Sequence, residues 1–388
     1  MKISKVTNSI ETSLTRHLFN MAKNYDDVID LTLGDPDVPP LKEIKSAACD
    51  SIMQDKLRYS ANAGLLSLRE CIAKNYKKET GLEIDSAKNV AVTVGGMEGL
   101  YLALKAMIDP GDEVIILAPY YVNYKQMISL CGGVPVVVET FQENGFIPKI
   151  EDIERKITDR TIGIIVNSPC NPTGAVIPFS ILSGIAKLTK KYDLAVISDE
   201  VYCKLVYDED IEHISIATIP GMSKRTIVID SLSKRQAMTG YRVGFAIASE
   251  DIITAMVKLQ ENIAACVPVS SQYAAITAFE KCADDSSLRD EFRRRRDFIY
   301  PAINSIDGLQ CEKPHATFYL FVNVNGTGLN GLDFAYKLLE EEHVAVVPGI
   351  TYGDSYGDYI RIAYTMNIEK LELAVTRIVR FIDSLKND

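Results

Sequence analysis

Short apolar runs that alternate with helical stretches constrain the fold of this chain more than any other feature of its sequence. Seven such runs, most of them rich in valine and isoleucine, lie at residues 90–94, 112–117, 134–138, 161–166, 194–198, 226–230 and 243–248. Stretches with helical periodicity separate several of them, for example "MEGLYLALKAM" and "SILSGIAKLTKKY". Strands that are apolar on both faces and joined through helices are typical of a mainly parallel sheet covered by helices on both sides. The pattern therefore predicts an α/β fold.

The order of predicted strands and helices changes after about residue 275. Strand-like runs and amphipathic helical stretches follow one another there in the order "FYLFVNV", "GLDFAYKLLEEEH", "VAVVPG", "YIRIAY" and "NIEKLELAVTRIVRFIDSLK". No Gly/Ser-rich linker separates this part from the rest. This order of elements predicts a second, smaller α+β domain.

Composition and charge exclude several classes of protein. With 388 residues, of which 47% are hydrophobic, the chain is long enough for a large buried core. Its formal net charge of −10 argues against nucleic acid as a partner. No apolar run approaches the roughly 18 residues that a membrane span needs, and the N-terminus lacks the apolar core of a signal peptide. Because the eight cysteines and four histidines are scattered, we expect a cytoplasmic protein with no disulfide framework and no metal site.

Polar residues follow the predicted strands at the points where the strands end, which is the edge where parallel α/β sheets bind ligands. The residues found there are a glycine turn before Met97, an aromatic pair ending in Tyr121, Asn171, the acid Asp199 with Tyr202, and the stretch "SLSKRQAMTGYRVGF" at 231–245. In that last stretch a lysine and an arginine lie among small and apolar residues, although such a pair is usually exposed to solvent. The pattern predicts one binding site at this edge.

One cofactor, pyridoxal 5'-phosphate, needs the residue types found here. Its aldehyde forms a Schiff base with a lysine, for which the position of Lys234 is suitable. Its phosphate suits Arg242 and Ser231, together with the backbone amides of Gly96 and Met97 at a predicted helix N-terminus. We therefore expect the phosphate to lie between these two parts of the chain.

The ring of the same cofactor suits four further residues. Asp199 would keep the ring nitrogen protonated, because a buried carboxylate raises the pKa of a neighbouring nitrogen above its usual value. Tyr202 and Asn171 would hydrogen-bond the phenolic oxygen, and Tyr121 would lie on the face of the ring. With Lys234, we count Asp199 and Tyr202 as the catalytic residues.

The stretch 231–244 resembles the lysine signature of the class I and II aminotransferases at every position, including Ser233, which the resemblance adds to the cofactor site. Other motifs follow in that family's order: "LTLGDPD" (31–37), "YSANAGLLSLR" (59–69), "NSPCNPTGAV", "SDEVY", "VAVVPG" and "YIRIAY". The resemblance extends over almost the whole chain. It implies the fold of aspartate aminotransferase (PLP fold type I), with a large cofactor-binding domain at 40–275 and a small domain formed by both chain ends, 1–39 and 276–388.

The resemblance also implies roles in substrate binding and assembly. Arg361 would hold the substrate α-carboxylate through two parallel hydrogen bonds, for which a guanidinium is better suited than an ammonium group. Asn171 and the backbone of Gly34 would assist it, and Lys234 would move the proton between substrate and cofactor. Tyr59 would reach the phosphate of the neighbouring subunit, so the site would require a homodimer.

One departure from the family concerns the substrate. Aspartate-using relatives often have a lysine where this chain has Met97, and a methionine cannot pair with a side-chain carboxylate, which is costly to bury alone. We therefore expect a neutral or aromatic L-amino acid as donor and a 2-oxo acid such as 2-oxoglutarate as acceptor. Arg16 is the candidate for the distal carboxylate of that acceptor, unless it is only a solvated helix residue. Aspartate aminotransferase remains an alternative.

Other functions are found on similar sequences. Carbon–sulfur β-lyases of this fold tend to have histidine and arginine in the segment that reads "NSPCNPTGAV" here, and they remain a second alternative. Histidinol-phosphate aminotransferases need a second phosphate site, for which no basic cluster is visible. A regulator with an aminotransferase-like effector domain would need a winged-helix segment before it, whereas the pattern starts almost at residue 1. We therefore expect an enzyme.

Overall fold

A computed structural model describes residues 1–10 and 14–386 of the chain. Within these ranges the strands are β1 (Ile29–Asp30), β2 (Val90–Thr93), β3 (Glu113–Ala118), β4 (Val134–Glu139), β5 (Thr161–Asn167), β6 (Ala195–Asp199), β7 (Thr226–Ser231), β8 (Gly244–Ile247), β9 (Gln310–Cys311), β10 (Tyr319–Asn323), β11 (Val344–Ala345), β12 (Val347–Pro348) and β13 (Tyr359–Ala363). The α-helices within the same ranges are α1 (Lys5–Ser9), α2 (Leu14–Ala22), α3 (Lys42–Met53), α4 (Leu66–Thr80), α5 (Gly95–Met107), α6 (Asn123–Cys131), α7 (Ile150–Arg155), α8 (Phe179–Lys191), α9 (Leu232–Arg235), α10 (Glu250–Ile263), α11 (Val269–Lys281), α12 (Ser287–Asn304), α13 (Gly331–Glu342) and α14 (Ile368–Leu385).

A seven-stranded sheet is the centre of the fold. Its strands lie in the order β2-β8-β7-β6-β5-β3-β4. Neighbours from β7 to β4 are parallel, whereas β8 is antiparallel to both β2 and β7. All seven predicted runs are strands of this sheet, so the prediction of a mainly parallel α/β fold is confirmed.

Helices cover both faces of this sheet. In β3, Val114 and Ile116 pack in one apolar cluster with Leu100 of α5, whereas Ile115 between them packs in another cluster with Leu182 of α8. Because successive residues of a strand point to opposite faces, both faces are buried. This explains why the strands read as continuous apolar runs.

The register of the sheet brings the polar ends of its strands together. Asn167 at the end of β5 lies opposite Asp199 at the end of β6. Ser231 at the end of β7 lies opposite Gly244 of β8, which is in turn opposite Thr93 at the end of β2. Since α5 begins directly after β2, its first turn lies at the same edge.

A second structural region joins both ends of the chain. Here β1 pairs in parallel with β11, and a separate antiparallel sheet has the order β12-β13-β10-β9. Leu31 packs in one apolar cluster with Phe334 and Phe381, which supports the proposal of a small domain built from both chain ends. The proposed boundary at 275 falls inside α11, and that helix packs on α3 and α4. We therefore propose that the division lies after α11.

The described residues also bear on membranes, metals and disulfides. None of their helices is both long enough and apolar enough to cross a membrane. All eight cysteines are free. In the same part of the chain, no group of three or more His, Cys, Asp or Glu side chains is arranged to hold a metal ion.

Candidate active site

A cavity of about 830 Å³ lies at the carboxyl edge of the large sheet. Thirteen of the fourteen predicted site residues line it: Arg16, Gly34, Gly96, Met97, Tyr121, Asn171, Asp199, Tyr202, Ser231, Ser233, Lys234, Arg242 and Arg361. Tyr59, the fourteenth, does not. The fold thus brings the N-terminal segment, several strand ends and β13 together around one space.

Lys234 lies in α9, the four-residue helix that follows β7. Its Nζ donates a hydrogen bond to the carbonyl oxygen of Gly34 at 2.5 Å. Burial lowers the pKa of Lys234 to about 8; Asp35 opposes this shift, and Arg361 and Arg242 add to it. A lowered pKa leaves more of the amine unprotonated at neutral pH, and the unprotonated amine is the form that attacks a carbonyl carbon.

Asp199, the last residue of β6, is a buried carboxylate. It accepts hydrogen bonds from the Tyr124 hydroxyl and, at 3.4 Å, from the Val201 backbone N–H. Burial raises the pKa of Asp199 to about 6, against the opposing effect of the Tyr124 hydroxyl. Within residues 1–10 and 14–386 no Lys, Arg or His forms an ion pair with it. A buried carboxylate without a cation is costly, so the position suits a ligand that brings a positive charge.

Tyr202 and Tyr319 form a pair of buried phenols whose hydroxyl oxygens are 3.0 Å apart. Burial holds the pKa of each above its usual range, so both are neutral hydrogen-bonding groups near pH 7. Gly34 is packed tightly against this pair: a Cβ there would come within 1.8 Å of the Tyr319 hydroxyl. The lack of a side chain at Gly34 is therefore a requirement of the site.

Arg361 projects from β13 and is only 5% exposed. It donates hydrogen bonds to Asn171 Oδ1 at 3.2 Å and to the carbonyl oxygen of Thr32. Its guanidinium lies over the Tyr319 and Tyr352 rings, at 4.3 Å and 5.2 Å from their centroids. Its Nε is buried and has no hydrogen-bond partner within the described residues. These contacts hold a planar donor group in place, in a geometry that suits a carboxylate.

The first turn of α5 and the loop before β8 meet at another part of the cavity. The first amides of α5, that of Gly96 among them, have no partner within the helix, and such groups attract anions. Arg242 has a φ of 54°, and a Cβ at Gly95 would come within 2.5 Å of its guanidinium. The hydroxyl oxygens of Ser231 and Ser233 are 3.0 Å apart. Amides, hydroxyls and a guanidinium together can hold a phosphate group.

Four residues that are less buried form what we call the outer rim of the cavity: Arg16, Met97, Tyr121 and Asn123. The Tyr121 hydroxyl lies 3.3 Å from Met97 Sδ and accepts a hydrogen bond from Asn123 Nδ2 at 3.0 Å. Burial raises the pKa of Tyr121 to about 12. Arg16 is exposed, and its guanidinium lies over the Phe19 ring at 5.4 Å.

The polar residues of the cavity that escape prediction from the sequence include Asn123, Tyr124 and Tyr319. The first two lie within three residues of Tyr121, so a search of the whole turn after β3 finds them. Tyr319 has no such signal, because it opens β10 in the other sheet. Only the packing of the two regions brings its hydroxyl to Tyr202.

Tyr59 stands apart from the cavity, with 91% of its surface exposed. Large apolar side chains close to it in sequence are also exposed: Ile52, Met53, Leu57 and Leu66. Exposed apolar surface of this kind is typical of an interaction site. Within its own chain, Tyr59 is not part of the site.

The chain matches the family described as "Aminotransferase class I and II" over residues 26–378. It belongs to this family. The aminotransferase is 38% identical to the aspartate aminotransferase of Pyrococcus abyssi and 36% identical to the aromatic-amino-acid aminotransferase 2 of Thermococcus litoralis, over 100% of both chains in each case. Its structure is similar to that of the aspartate aminotransferase from Thermus thermophilus with maleate, at a TM-score of 0.93 and 33% identity over 98% of this chain and 100% of that one. The predicted family, fold and class of enzyme are confirmed.

Proposed function

We propose that this aminotransferase binds pyridoxal 5'-phosphate and transfers an amino group from a neutral or aromatic L-amino acid to a 2-oxo acid such as 2-oxoglutarate. One observation carries the proposal: Lys234, with its lowered pKa, and Asp199, a buried carboxylate, line the same cavity. The aldehyde of this cofactor requires a partly unprotonated amine, and its ring nitrogen requires an anion, and both groups line this cavity.

Three features of the cavity fit the cofactor. Asp199 has no cationic side chain beside it in the described ranges, and a protonated ring nitrogen would be its counter-ion. Arg242, Ser231 and the first turn of α5 offer the donors that a phosphate needs. The buried phenol of Tyr202 offers a hydrogen bond to the phenolic oxygen. When bound, the cofactor supplies an aldehyde carbon for covalent attachment and a ring that takes up electron density from the substrate Cα.

The side chains of this chain would bind the substrate and move its proton. Arg361 holds the α-carboxylate, and Asn171 keeps the guanidinium in place from 3.2 Å. The Nζ of Lys234 takes the proton from the substrate Cα. Its pKa of about 8 suits this role, because a general base is most effective when its pKa lies near the ambient pH. The Gly34 carbonyl, 2.5 Å from this nitrogen, orients it.

The outer rim supports a preference for neutral or aromatic donors. Met97 and Tyr121 line the cavity together with Leu100 and Val122, and none of these side chains carries a positive charge that could form an ion pair with an acid. Burying a carboxylate against them would be costly. Arg16 favours the alternative, an aspartate aminotransferase, because it lines the same cavity. The two named relatives, one acting on aspartate and one on aromatic amino acids by their names, leave both choices open.

We further propose that the enzyme is a cytoplasmic homodimer in which Tyr59 completes the phosphate site of the partner subunit. Support comes from the position of Tyr59, which is exposed and outside the cavity of its own chain, and from the exposed apolar residues beside it. The eight free cysteines support a reducing compartment.

Replacement of Lys234 tests the function. Wild-type protein should take up pyridoxal phosphate with a visible absorbance band, and an L-amino acid donor should bleach that band. Lys234→Ala should lose the band and at least ~10³-fold in turnover, since the attachment point and the base are removed together. Lys258→Ala, at an exposed position of α10, is the control and should keep both. Turnover of Lys234→Ala close to that of wild type would refute the proposal.

A further inference from the structure

The residue after Lys234 is an arginine that does not line the cavity. The Arg235 side chain is only 8% exposed. Its Nε donates a hydrogen bond to Asp230 at 2.7 Å, and its two terminal nitrogens donate to the two carboxylate oxygens of Glu79 at 2.9 Å and 2.7 Å. One of these nitrogens also lies 3.4 Å from Cys203 Sγ. Arg235 is thus held by residues that do not line the cavity.

Asp230 connects this guanidinium to the end of β7. Its carboxylate is 4% exposed. One oxygen accepts a hydrogen bond from the Ser231 backbone N–H at 2.6 Å, while the other accepts from Arg235. The ion pair therefore closes the turn in which Lys234 lies. Because α9 has only four residues and a helix of that length is unstable alone, its conformation depends on such contacts.

Glu79, near the C-terminal end of α4, holds the other side of the guanidinium. It binds both terminal nitrogens of Arg235 and also lies 2.6 Å from the Nζ of Lys204. Lys204 is two residues after Tyr202, in the turn that follows β6. The network therefore links α4 and the turn that bears Tyr202 to the turn that bears Lys234.

We propose that Arg235 is a positioning residue for Lys234. Its ion pairs with Asp230 and Glu79, which do not line the cavity, fix the α9 turn, so that the Lys234 amine keeps one position in the cavity. Arg235 touches neither substrate nor cofactor and acts only through its neighbour. The inference rests on the proposed function, because it assumes that Lys234 attaches the cofactor and moves the proton. A small displacement of a reacting group from its productive position costs much in rate.

The variants must avoid leaving a buried charge alone, since that destabilises a protein whatever the role of the residue. Arg235→Met combined with Asp230→Asn removes both charges and leaves Glu79 paired with Lys204. Arg235→Lys keeps the charge but loses the planar fork.

The matched control is Arg296→Met combined with Asp208→Asn. The Arg296 side chain is 3% exposed, against 8% for Arg235, and lies 2.8 Å from Asp208; neither Arg296 nor Asp208 lines the cavity. Loss of this pair should lower the unfolding temperature without changing the Lys234 turn.

The first measurement uses the cofactor-free protein. Hydrogen exchange of the backbone amides at 231–236, followed by mass spectrometry, should be at least about tenfold faster in both Arg235 variants. The control variant should keep the wild-type rate in this segment. Faster exchange there and nowhere else would show that Arg235 fixes the turn.

The second measurement uses added pyridoxal phosphate. The pH midpoint of the visible band should shift in both Arg235 variants, and kcat should fall by about tenfold while KM for the donor changes less than about threefold. A merely structural role would lower the unfolding temperature of all variants alike and leave the pH midpoint unchanged.

Two outcomes would overturn the inference: wild-type exchange at 231–236, or faster exchange with an unchanged pH midpoint and kcat. If the double variant does not fold, Arg235→Lys decides by the same measurements. If wild-type protein itself gave no visible band, the proposed function would fail and the inference with it, so the two failures are distinguishable.

Discussion

Two of the arginines that line the cavity, Arg361 and Arg16, differ in burial and in their contacts. Arg361 is buried, donates hydrogen bonds to Asn171 and to a backbone carbonyl, and lies against two aromatic rings. Arg16 is exposed, and its guanidinium lies over one phenylalanine ring. The first is in place before a ligand arrives, whereas the second must lose side-chain freedom on binding, which costs free energy.

The same difference separates two regions of the site. We call the buried or hydrogen-bonded residues Asn171, Asp199, Tyr202, Lys234 and Arg361 the inner wall. The outer rim is half-buried or exposed. A fixed wall suits the steps that all substrates share, and a looser rim suits discrimination between side chains. Variants in the inner wall should therefore affect every substrate, and variants in the outer rim only some.

The largest effect should come from Asp199→Asn, in the inner wall. Without the carboxylate the ring nitrogen of the cofactor is not kept protonated, so removal of the substrate Cα proton should slow by several powers of ten. Stopped-flow measurement of the half-reaction with a saturating donor checks this. Asn123→Ala, in the outer rim, should slow the same step by less than about tenfold. Similar rates for the two variants would break the distinction between the regions.

Asp199 should also destabilise the cofactor-free protein in a pH-dependent way. Burial raises the pKa of Asp199 from 3.8 to about 6. The folded state therefore binds this proton more tightly than the unfolded state, and the free energy of unfolding falls as the pH rises from about 4 to about 6, with no further loss above. Asp199→Asn should raise the free energy of unfolding by up to about 3 kcal/mol at pH 8 and by little near pH 4. Equal gains in denaturant unfolding at both pH values would contradict this.

Arg361→Lys should lower kcat/KM by about 10²-fold for donors and acceptors alike. Lysine keeps the charge, but it loses the two parallel hydrogen bonds to the α-carboxylate, each contributing roughly 1.5–3 kcal/mol when fully formed. Steady-state kinetics give kcat/KM for a neutral donor and for the acceptor 2-oxoglutarate. Arg380→Lys, at an exposed position of α14, serves as the control. A loss confined to one substrate would place Arg361 with the outer rim.

Tyr59→Ala should weaken the binding of pyridoxal phosphate by about ten- to a hundredfold, through loss of a hydrogen bond to a charged group. If Tyr59 serves the partner subunit, mixing Tyr59→Ala with Lys234→Ala should restore about a quarter of the wild-type rate, because about half of the dimers are hybrids with one complete site. Mixing Lys234→Ala with the double variant Tyr59→Ala, Arg361→Ala should restore little, since that site lacks its own Arg361. No rescue in the first mixture, with exchange of subunits verified, would place Tyr59 in its own chain's site.

The smallest effects should come from the outer rim and depend on the substrate. Arg16→Ala should weaken the half-reaction with 2-oxoglutarate by about ten- to a hundredfold, the value of a charge-assisted hydrogen bond, and leave a neutral donor nearly unchanged. Met97→Lys should raise activity with aspartate by supplying a second cation. The donor preference would be refuted if the wild-type enzyme preferred aspartate and Arg16→Ala did not change the half-reaction with 2-oxoglutarate. The class of enzyme would not be affected by that result.

The sequence alone predicts the large sheet well, because its strands are buried on both faces and therefore read as uninterrupted apolar runs. It does not predict that β8 is antiparallel, since an apolar run carries no sign of its direction. The residues of the inner wall can be selected from the sequence for a related reason: each lies at or after the end of a strand or in a recognisable motif, and all five line the same cavity. Tyr319 is missed because its contact with the Tyr202 hydroxyl crosses between two sheets and no local pattern records it.

What the sequence determined by itself is the identity and order of the chemical groups: a lysine after β7, an acid at the end of β6, a pair of glycines at the start of α5 and an arginine in β13. What only the tertiary structure decided is the burial of these groups and their pKa values. The pKa of Lys234 is lowered to about 8 and that of Asp199 is raised to about 6 because burial, which depends on the whole fold, removes water from both. The same holds for Arg235, which reads as a surface charge beside the lysine. It is buried because Asp230 and Glu79, one of them over 150 residues away in sequence, meet its guanidinium from two sides.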